Sequence, residues 1–380
     1  MSKNSIYRNI FIKFLLIFFA VVISFLLIEF LLRVFSPHET NLEFYDNPIF
    51  GSALVPNQKG LFVTETKEYS SKVEVNSQGW PDTEHSFEKP EGVYRILILG
   101  DSFVENFQVP FEKRFFRQLQ DKLGSKFEII AMGRGNTGTA QQYLILKEYG
   151  LKYKPDLVIH MFYEANDIKN NSQLMQNDPF LPYFKVDSTN NLVEIPHSKR
   201  SLRKLAALKE FLTNFRVIKL ILKVRQNITE NREKVRSGYP IDYHVYDKEY
   251  SEEYTKSWDV TKRLILETKK EVEKSGAKYI LVAIPGNEQV QKTVQKKIFG
   301  LYPRFLSEKI DFEKPDLVID DFCKMEKIEC YSMLPFLKDY LQSNSQAKLY
   351  HFYDGHWNET GTNLAAEFLY ENSKNYLIIK

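Results

Sequence analysis

The sequence predicts an α/β protein: a three-layer α/β/α sandwich with a doubly wound, mostly parallel sheet of the flavodoxin-like kind, preceded by one transmembrane helix. Two patterns predict this architecture. From residue 94 onward, short apolar runs alternate with segments of helical periodicity, as in βαβ units. Near the N-terminus, one apolar run is long enough to cross a bilayer. The composition, 43% hydrophobic and 14% aromatic, is that of a folded chain.

The elements of the sheet follow one another regularly. Apolar runs predict strands buried on both faces at 94–99, 127–132, 157–162, 277–284 and 328–331. Helical spacing predicts helices at 115–123, 140–149, 259–274, 315–325 and 360–372. Right-handed crossovers then place helices on both faces of the sheet.

The N-terminal apolar run predicts a membrane anchor. Only Ser24, Glu29 and Arg33 interrupt residues 14–34, basic residues precede the run, and acidic residues follow it. The positive-inside rule therefore predicts a cytoplasmic tail at 1–13, a signal anchor at 14–34 in the lipid bilayer, and a periplasmic or extracellular remainder. A cleaved signal peptide is disfavoured because no small-x-small site follows. A buried core helix is the other alternative.

The exported part is predicted to have three regions. Residues 35–92 form an irregular, β-rich lead-in with strand-like pieces at 60–64 and 72–76. Residues 93–169 and 256–380 form the α/β catalytic domain, which a basic helical and loop subdomain at 170–255 interrupts.

The insertion contains a predicted amphipathic helix at 201–224, and residues 199–236 hold 12 Lys or Arg against three Glu. Such a helix can lie on anionic lipid or hold an acidic polymer. The alternative is a solvated helix packed over the core.

Charge and cysteine content exclude several classes of protein. The net charge of +3, from 52 basic and 49 acidic residues, is too balanced for a protein that wraps nucleic acid. Cys323 and Cys330 match no zinc spacing with the seven histidines, so we predict no metal. A disulfide is permitted in an exported domain, but two buried thiols are the more ordinary interpretation.

Candidate catalytic residues follow the predicted strands, at the edge where parallel sheets bind ligands. Ser102 follows the first strand in G-D-S-F, and Asn166 follows the third in E-A-N-D. Asp354 and His356 precede the last helix in D-G-H-W-N. A serine nucleophile needs a histidine base oriented by a carboxylate, and an amide can stabilise an oxyanion. Each residue alone is typical of a helix cap or a surface position, but the three together at one edge favour catalysis.

These blocks resemble those of the SGNH/GDSL-type hydrolases, over about 93–169 and 256–373, together with the anchor and the N-S-Q-G-W turn at 76–80. E-A-N-D resembles the usual G-x-N-D block with Glu164 in place of glycine. The common last block is D-x-x-H, whereas here Asp354 precedes His356 by two. That D-x-H-W spacing resembles the branch that contains polysaccharide O-acetyltransferases.

The resemblance implies an oxyanion hole made of the Ser102 N–H, the Asn166 amide and one N–H from the loop after the second strand. Gly135 and Gly138 both qualify by position, and we choose Gly138. The loop also spells G-x-G-x-x-G. A dinucleotide fingerprint should follow the first strand instead and have an acid about 20 residues on, so we predict no cofactor.

The predicted function is that of a membrane-anchored, extracytoplasmic serine esterase acting on acyl esters, foremost O-acetyl, of carbohydrate or lipid through an acyl-enzyme. One alternative is an O-acyltransferase that modifies cell-envelope polysaccharide, with envelope-biosynthesis proteins as candidate partners. A second is a non-catalytic polysaccharide-binding module, which Glu164 and the short Asp–His spacing favour.

Overall fold

The computed structural model describes residues 3–35, 40–64, 66–176, 178, 181–195, 211–212, 215–222, 224–225, 228, 239–302 and 308–376. The chain forms two compact units. The smaller comprises Met1–Glu39 and Ser198–Arg232, and the larger comprises Thr40–His197 and Glu233–Lys380. These units divide the predicted insertion at 170–255, because only its middle part belongs to the smaller unit.

The smaller unit contains the helix α1 (Lys3–Phe35). Its segment Phe11–Phe35, which includes the predicted anchor, is long and apolar enough to cross a membrane. The helix predicted at 201–224 lies partly outside the described residues. Its described residues at 211–212 and 216–222 are helical and belong to the smaller unit.

The larger unit begins with a lead-in of two antiparallel hairpins. Their strands are β1 (Phe44–Asn47), β2 (Gly51–Leu54), β3 (Lys59–Val63) and β4 (Ser70–Glu74). The predicted turn after β4 is present, since Asn76 Oδ1 accepts hydrogen bonds from the N–H groups of Gln78 and Trp80. Gly79 has a φ of +91°, which glycine adopts without strain.

The central sheet has five parallel strands. They are β5 (Tyr94–Gly100), β6 (Phe127–Gly133), β7 (Leu157–Tyr163), β10 (Lys278–Ile284) and β11 (Cys330–Ser332). Their order across the sheet is β11-β10-β7-β5-β6. This is the doubly wound topology, so the predicted fold class is confirmed. A hairpin of β8 (Tyr183–Val186) and β9 (Leu192–Ile195) lies outside this sheet.

The sheet is covered by helices, some of which the sequence did not predict. The α-helices are α2 (Ser102–Glu105), α3 (Phe115–Leu123), α4 (Thr139–Glu148), α5 (Asp167–Asn170), α6 (Gln173–Gln176), α7 (Glu252–Lys274), α8 (Asn287–Val290), α9 (Lys292–Leu301), α10 (Lys314–Glu326), α11 (Met333–Ser343) and α12 (Glu359–Ser373). Short 3₁₀ helices are Phe111–Lys113, Gly150–Tyr153, Ile241–Tyr246 and Lys374–Tyr376.

The core consists of two layers, one on each face of the sheet. Successive residues of β5 alternate between them: Leu97 and Leu99 pack with α4, α7 and α10, whereas Ile96 and Ile98 pack with α3, α11 and α12. Each such fully buried side chain contributes about 1.5–3 kcal/mol. Because both of its faces are buried, β5 is restrained by packing on each side of the sheet.

Cys323 on α10 and Cys330 on β11 form a disulfide with a Cα–Cα separation of 6.2 Å. The expectation of two buried thiols is therefore wrong. The reason is tertiary: α10 turns back directly into β11, which brings the two residues within disulfide reach.

Candidate active site

Ser102 stands at a sharp turn after β5. The Asp101 carboxylate caps α2 by accepting the N–H of Phe103 at 2.9 Å. A Cβ on Gly100 would lie 2.9 Å from the carbonyl oxygen of Met161, so glycine is needed here. The turn presents Ser102 at the carboxyl edge of the sheet, at the first position of a helix, where an N–H has no intrahelical partner.

Ser102, His356 and Asp354 form a hydrogen-bonded line. Ser102 Oγ lies 2.7 Å from His356 Nε2, and His356 Nδ1 lies 2.6 Å from Asp354 Oδ1. With Nδ1–H donating to the carboxylate, Nε2 is left to accept the serine proton. This is the geometry that a serine nucleophile with a histidine base requires.

The short Asp–His spacing does not prevent Asp354 from orienting His356. Gly355 between them has a φ of +80°, and this turn folds the carboxylate back onto the ring. The backbone N–H of His356 also donates to Asp354 Oδ1, at 3.3 Å.

Charges around His356 favour its protonated form. Burial lowers the pKa of His356, but the hydrogen bond and charge of Asp354, with the charges of Asp101 and Glu105, outweigh it and raise the pKa above its ordinary value. Burial would raise the pKa of Asp354, yet its bond to His356 holds that pKa below the usual range. Burial raises the pKa of Asp101 to about 6.

The rest of D-G-H-W-N anchors the histidine loop. Trp357 is fully buried and packs edge-on against Phe103, with ring centroids 4.7 Å apart. Asn358 Oδ1 caps α12 by accepting the N–H groups of Thr360 and Gly361. One end of the loop is thus embedded in the core, which restrains His356.

The glycine loop places Gly135, not Gly138, beside Ser102. A Cβ on Gly135 would lie 3.7 Å from the Ser102 Cβ, whereas one on Gly138 would meet Asn170 and Asp167. The Gly138 N–H already donates to Gln141 Oε1 at 2.8 Å. The choice of Gly138 for the oxyanion hole does not fit this geometry, because that residue is the N-cap of α4 and lies against Asn170 and Asp167 rather than beside Ser102.

Glu105 is a buried residue of this site that sequence reasoning missed. It lies three residues after Ser102 on α2, and its Oε2 accepts the Gly135 N–H at 3.1 Å. Its Oε1 pairs with the Arg134 guanidinium, which also donates to the Ser52 carbonyl of β2 at 2.8 Å. An acid one helical turn from the nucleophile, followed by an arginine in the next loop, was the available signal.

Asn166 follows β7 at the same edge. Its Oδ1 is buried and has no hydrogen-bond partner among the described groups. The neighbouring Asp167 is fully buried and accepts hydrogen bonds from the Tyr163 N–H and from Gln142 Nε2. Burial raises the pKa of Asp167 well above its usual range. Asp167 therefore holds the turn that carries Asn166.

Glu164 is fully buried. Its Oε2 accepts a hydrogen bond from Gln289 Nε2 at 2.6 Å, and burial raises its pKa well above the usual range. The residue that replaces the glycine of the common block is thus a buried acid that is hydrogen-bonded to Gln289.

Glu68, in the turn between β3 and β4, holds the loop that carries Asp354. Its carboxylate accepts three consecutive backbone N–H groups, those of Phe352, of Tyr353 at 2.9 Å and of Asp354 at 3.2 Å. Sequence reasoning missed Glu68, because nothing in the lead-in indicates which distant loop it contacts.

Within the described part of the chain, no three His, Cys, Asp or Glu side chains are grouped as a metal ion would need.

No protein-family model matches the chain, and no curated protein matches it. Among solved structures, the acetyl xylan esterase AlAXEase is 11% identical, over 73% of this chain and 98% of its own, with a TM-score of 0.41. An aryl esterase of M. smegmatis is 15% identical, over 75% and 100%, with a TM-score of 0.37. Est24, a carbohydrate acetylesterase from Sinorhizobium meliloti, is 12% identical, over 74% and 99%, with a TM-score of 0.37. These values are too low to identify the reaction of this chain.

The raised pKa of His356 predicts the pH dependence of serine reactivity. The inactivation rate with a serine-directed phosphonate should rise with pH as His356 loses its proton, with an apparent pKa above the ordinary histidine value of 6.5. In Asp354→Asn the hydrogen bond to a charged carboxylate is lost. The acidic limb of the pH–rate profile should then move to lower pH, and the inactivation rate at its plateau should fall by about 10²–10⁴-fold. An acidic limb at the same pH as in the unmodified protein would contradict the assigned Asp354–His356 pair.

The three hydrogen bonds that Glu68 accepts predict that it positions the loop of Asp354 and His356 for catalysis. In Glu68→Ala, the loop of Asp354 and His356 loses three hydrogen bonds, and the phosphonate reaction should slow by up to about 10²-fold, since misplacing a group by about 1 Å can cost that much. Glu74→Ala is the matched control, because Glu74 lies on the same hairpin in an exposed pair with Lys59. Equal rates in the two variants, with unchanged pH profiles, would rule out this role for Glu68.

Proposed function

We propose that this protein is a membrane-anchored serine esterase that cleaves acyl esters, foremost O-acetyl esters, of carbohydrate through an acyl-enzyme. The observation that carries the proposal is the hydrogen-bonded line of Ser102, His356 and Asp354, with its 2.7 and 2.6 Å separations, at the carboxyl edge of a parallel sheet.

In the proposed first step, Ser102 Oγ attacks the ester carbonyl carbon while His356 Nε2 takes the hydroxyl proton. The charge of Asp354 stabilises the imidazolium that forms. As the tetrahedral intermediate collapses, His356 returns the proton to the leaving alcohol oxygen, which leaves an acyl-enzyme on Ser102. Water then attacks the acyl group, His356 takes one proton from it, and that proton returns to Ser102 as the acid departs.

The oxyanion would be stabilised by the Ser102 N–H and by the side-chain amide of Asn166. We assign the third donor to Gly135, because it is the loop glycine beside Ser102. In the free protein that N–H donates to Glu105, so a substrate oxygen would have to compete with a carboxylate for it. Losing one such donor typically costs about 10²–10³-fold in rate.

The anchor is proposed to be Phe11–Phe35, with the N-terminus in the cytoplasm. The length and apolar character of this segment support membrane insertion. Basic residues at positions 3, 8 and 13 precede its apolar part, and acidic residues at 39, 43 and 46 follow it. This asymmetry favours an exported catalytic unit.

Two observations disfavour the alternative of a non-catalytic binding module. Glu164 is fully buried and hydrogen-bonded to Gln289, and Asp354 contacts His356 despite the short spacing. Both features that favoured the alternative at the sequence level are therefore compatible with turnover. Transfer of the acyl group to a sugar hydroxyl would use the same acyl-enzyme and differ only in its acceptor.

Two exposed aromatic rings support carbohydrate as the substrate class. Phe352 and Tyr353, four and three residues before His356, are 56% and 70% exposed. The Lys297 ammonium lies 4.1 Å from the Phe352 ring centroid. Large exposed apolar side chains beside a reactive group indicate a ligand surface, and the apolar face of a sugar ring can stack on such rings.

The nucleophile can be tested by labelling. The intact protein should form a covalent adduct with a serine-directed phosphonate and hydrolyse 4-nitrophenyl acetate. In Ser102→Ala the adduct should disappear, and turnover should fall on the order of 10⁴–10⁶-fold.

Ser251→Ala is the matched control, because Ser251 also stands at a helix N-terminus, where it caps α7. Its loss should cost about 1 kcal/mol of stability without affecting the adduct. Labelling that survives in Ser102→Ala would refute the proposal. An acetylated acceptor sugar in the product mixture would instead identify a transferase.

The substrate class can be tested with Tyr353→Ala. This variant should raise KM for an O-acetylated oligosaccharide several-fold, because one stacked ring is worth about 0.5–1.5 kcal/mol. Turnover of 4-nitrophenyl acetate should stay unchanged, since that ester needs no sugar contact. Phe87→Ala is the control, because Phe87 is also exposed but lies near the opposite end of β5. Equal KM values for both variants on the oligosaccharide would exclude the ring as a sugar platform.

A further inference from the structure

The smaller unit carries an apolar surface in addition to that of α1. Among its described residues between 211 and 228, seven large apolar side chains are exposed. They are Phe211, Leu212, Leu220, Ile221, Leu222, Val224 and Ile228. Exposed apolar patches of this kind mark contact with a partner or a membrane.

This segment docks on the last third of α1. The rings of Phe215 and Phe25 are 5.5 Å apart, and Arg216 Nη1 donates to the Leu32 carbonyl oxygen at 2.7 Å. Glu29 Oε2 accepts the N–H of Val217 at 3.0 Å. The contacts therefore lie near the end of α1 that leads into the larger unit, which is the outer end in the proposed orientation.

The contacts of Glu29 explain how an acidic residue is accommodated on α1. It is only 7% exposed, although the apolar residues around it on α1 are mostly exposed. An acid within a membrane segment is costly unless it is paired. Glu29 forms an ion pair with Arg33 at 2.8 Å, and it accepts a hydrogen bond from the backbone N–H of Val217, near the start of the helical stretch 216–222.

The charge of the segment indicates which surface it contacts. Residues 211–228 contain four Lys or Arg and no acidic residue, and the wider stretch 199–236 contains 12 Lys or Arg against three Glu. A helix that combines exposed apolar side chains with basic ones lies in the plane of an anionic bilayer surface. On the described helix, the exposed Lys219 and Ile221 are two residues apart, about 200° around the axis, so these two side chains lie on opposite faces.

We propose that residues 211–228 lie in the outer interface of the bilayer, against the anchor, with their apolar side chains at the acyl boundary and their basic side chains among anionic headgroups. The proposal rests on the proposed anchor. The chain on both sides of this segment belongs to the larger unit, so the segment leaves and returns on one side of the membrane and does not cross it.

The test uses the full chain with single cysteines. Its two native cysteines form a disulfide, so an environment-sensitive fluorophore can be attached at Ile221→Cys alone. In vesicles of equimolar phosphatidylglycerol and phosphatidylcholine, we expect blue-shifted emission. A spin label near the lipid headgroup should quench it at least about twofold more than one near the chain end.

Three control positions make the result decisive. Lys219→Cys, on the other face of the same helix, should be quenched less than Ile221→Cys. Val21→Cys, in the middle of α1, should be quenched most by the deep label and reports the anchor itself. Ser86→Cys, exposed on the larger unit, should not be quenched.

If Val21→Cys is quenched and Ile221→Cys is not, the interfacial helix is refuted and the anchor stands. If Val21→Cys is not quenched either, the anchor of the proposed function fails as well. Unquenched Ile221→Cys fluorescence that responds to an acidic polysaccharide would also overturn the proposal, in favour of a polymer-binding helix.

Discussion

The hydrogen bond between Ser102 and His356 joins residues 254 positions apart, and the α/β unit keeps both of its ends in place. One end is set by β5, whose residues are buried on both faces of the sheet up to the turn at Gly100. The other is set by Trp357, which is embedded in the core next to His356. A hydrogen bond weakens within a few tenths of an ångström of stretching, so neither end can move without loss of the contact.

Several carboxyl groups of the α/β unit are buried or partly buried, and their pKa values are shifted in different directions. Burial raises the pKa of Glu164 and of Asp167, and both carboxyl groups accept hydrogen bonds: Asp167 from the Tyr163 N–H at the end of β7, and Glu164 from Gln289 on α8. Asp354 remains charged because His356 faces it, and Glu105 faces the Arg134 guanidinium. The negative charge near the site is therefore concentrated around His356, which is why its pKa is raised although burial opposes this.

The lead-in hairpins form part of the site although they lie outside the central sheet. Glu68 holds the loop before His356, and the Ser52 carbonyl of β2 accepts a hydrogen bond from Arg134, the partner of Glu105. Ser71 on β4 donates to the carbonyl of Phe107, just after α2. These contacts tie both the nucleophile segment and the histidine segment to a region that carries none of the candidate catalytic residues.

The sequence by itself determined the sheet, five of the helices that cover it, and the selection of Ser102, Asn166 and His356. Burial on both faces leaves a periodic apolar pattern along the chain, and the carboxyl ends of parallel strands share one edge. Only the tertiary structure decided that Gly135 rather than Gly138 lies beside Ser102, that Cys323 and Cys330 are bonded, and that Glu68 reaches the loop of Asp354. The positions of Gly135 and Glu68 depend on how loops far apart in the chain cross in space, and the disulfide depends on the turn that leads from α10 into β11. Local periodicity carries no information about such distances, because it does not specify the backbone conformation of the turns that set them.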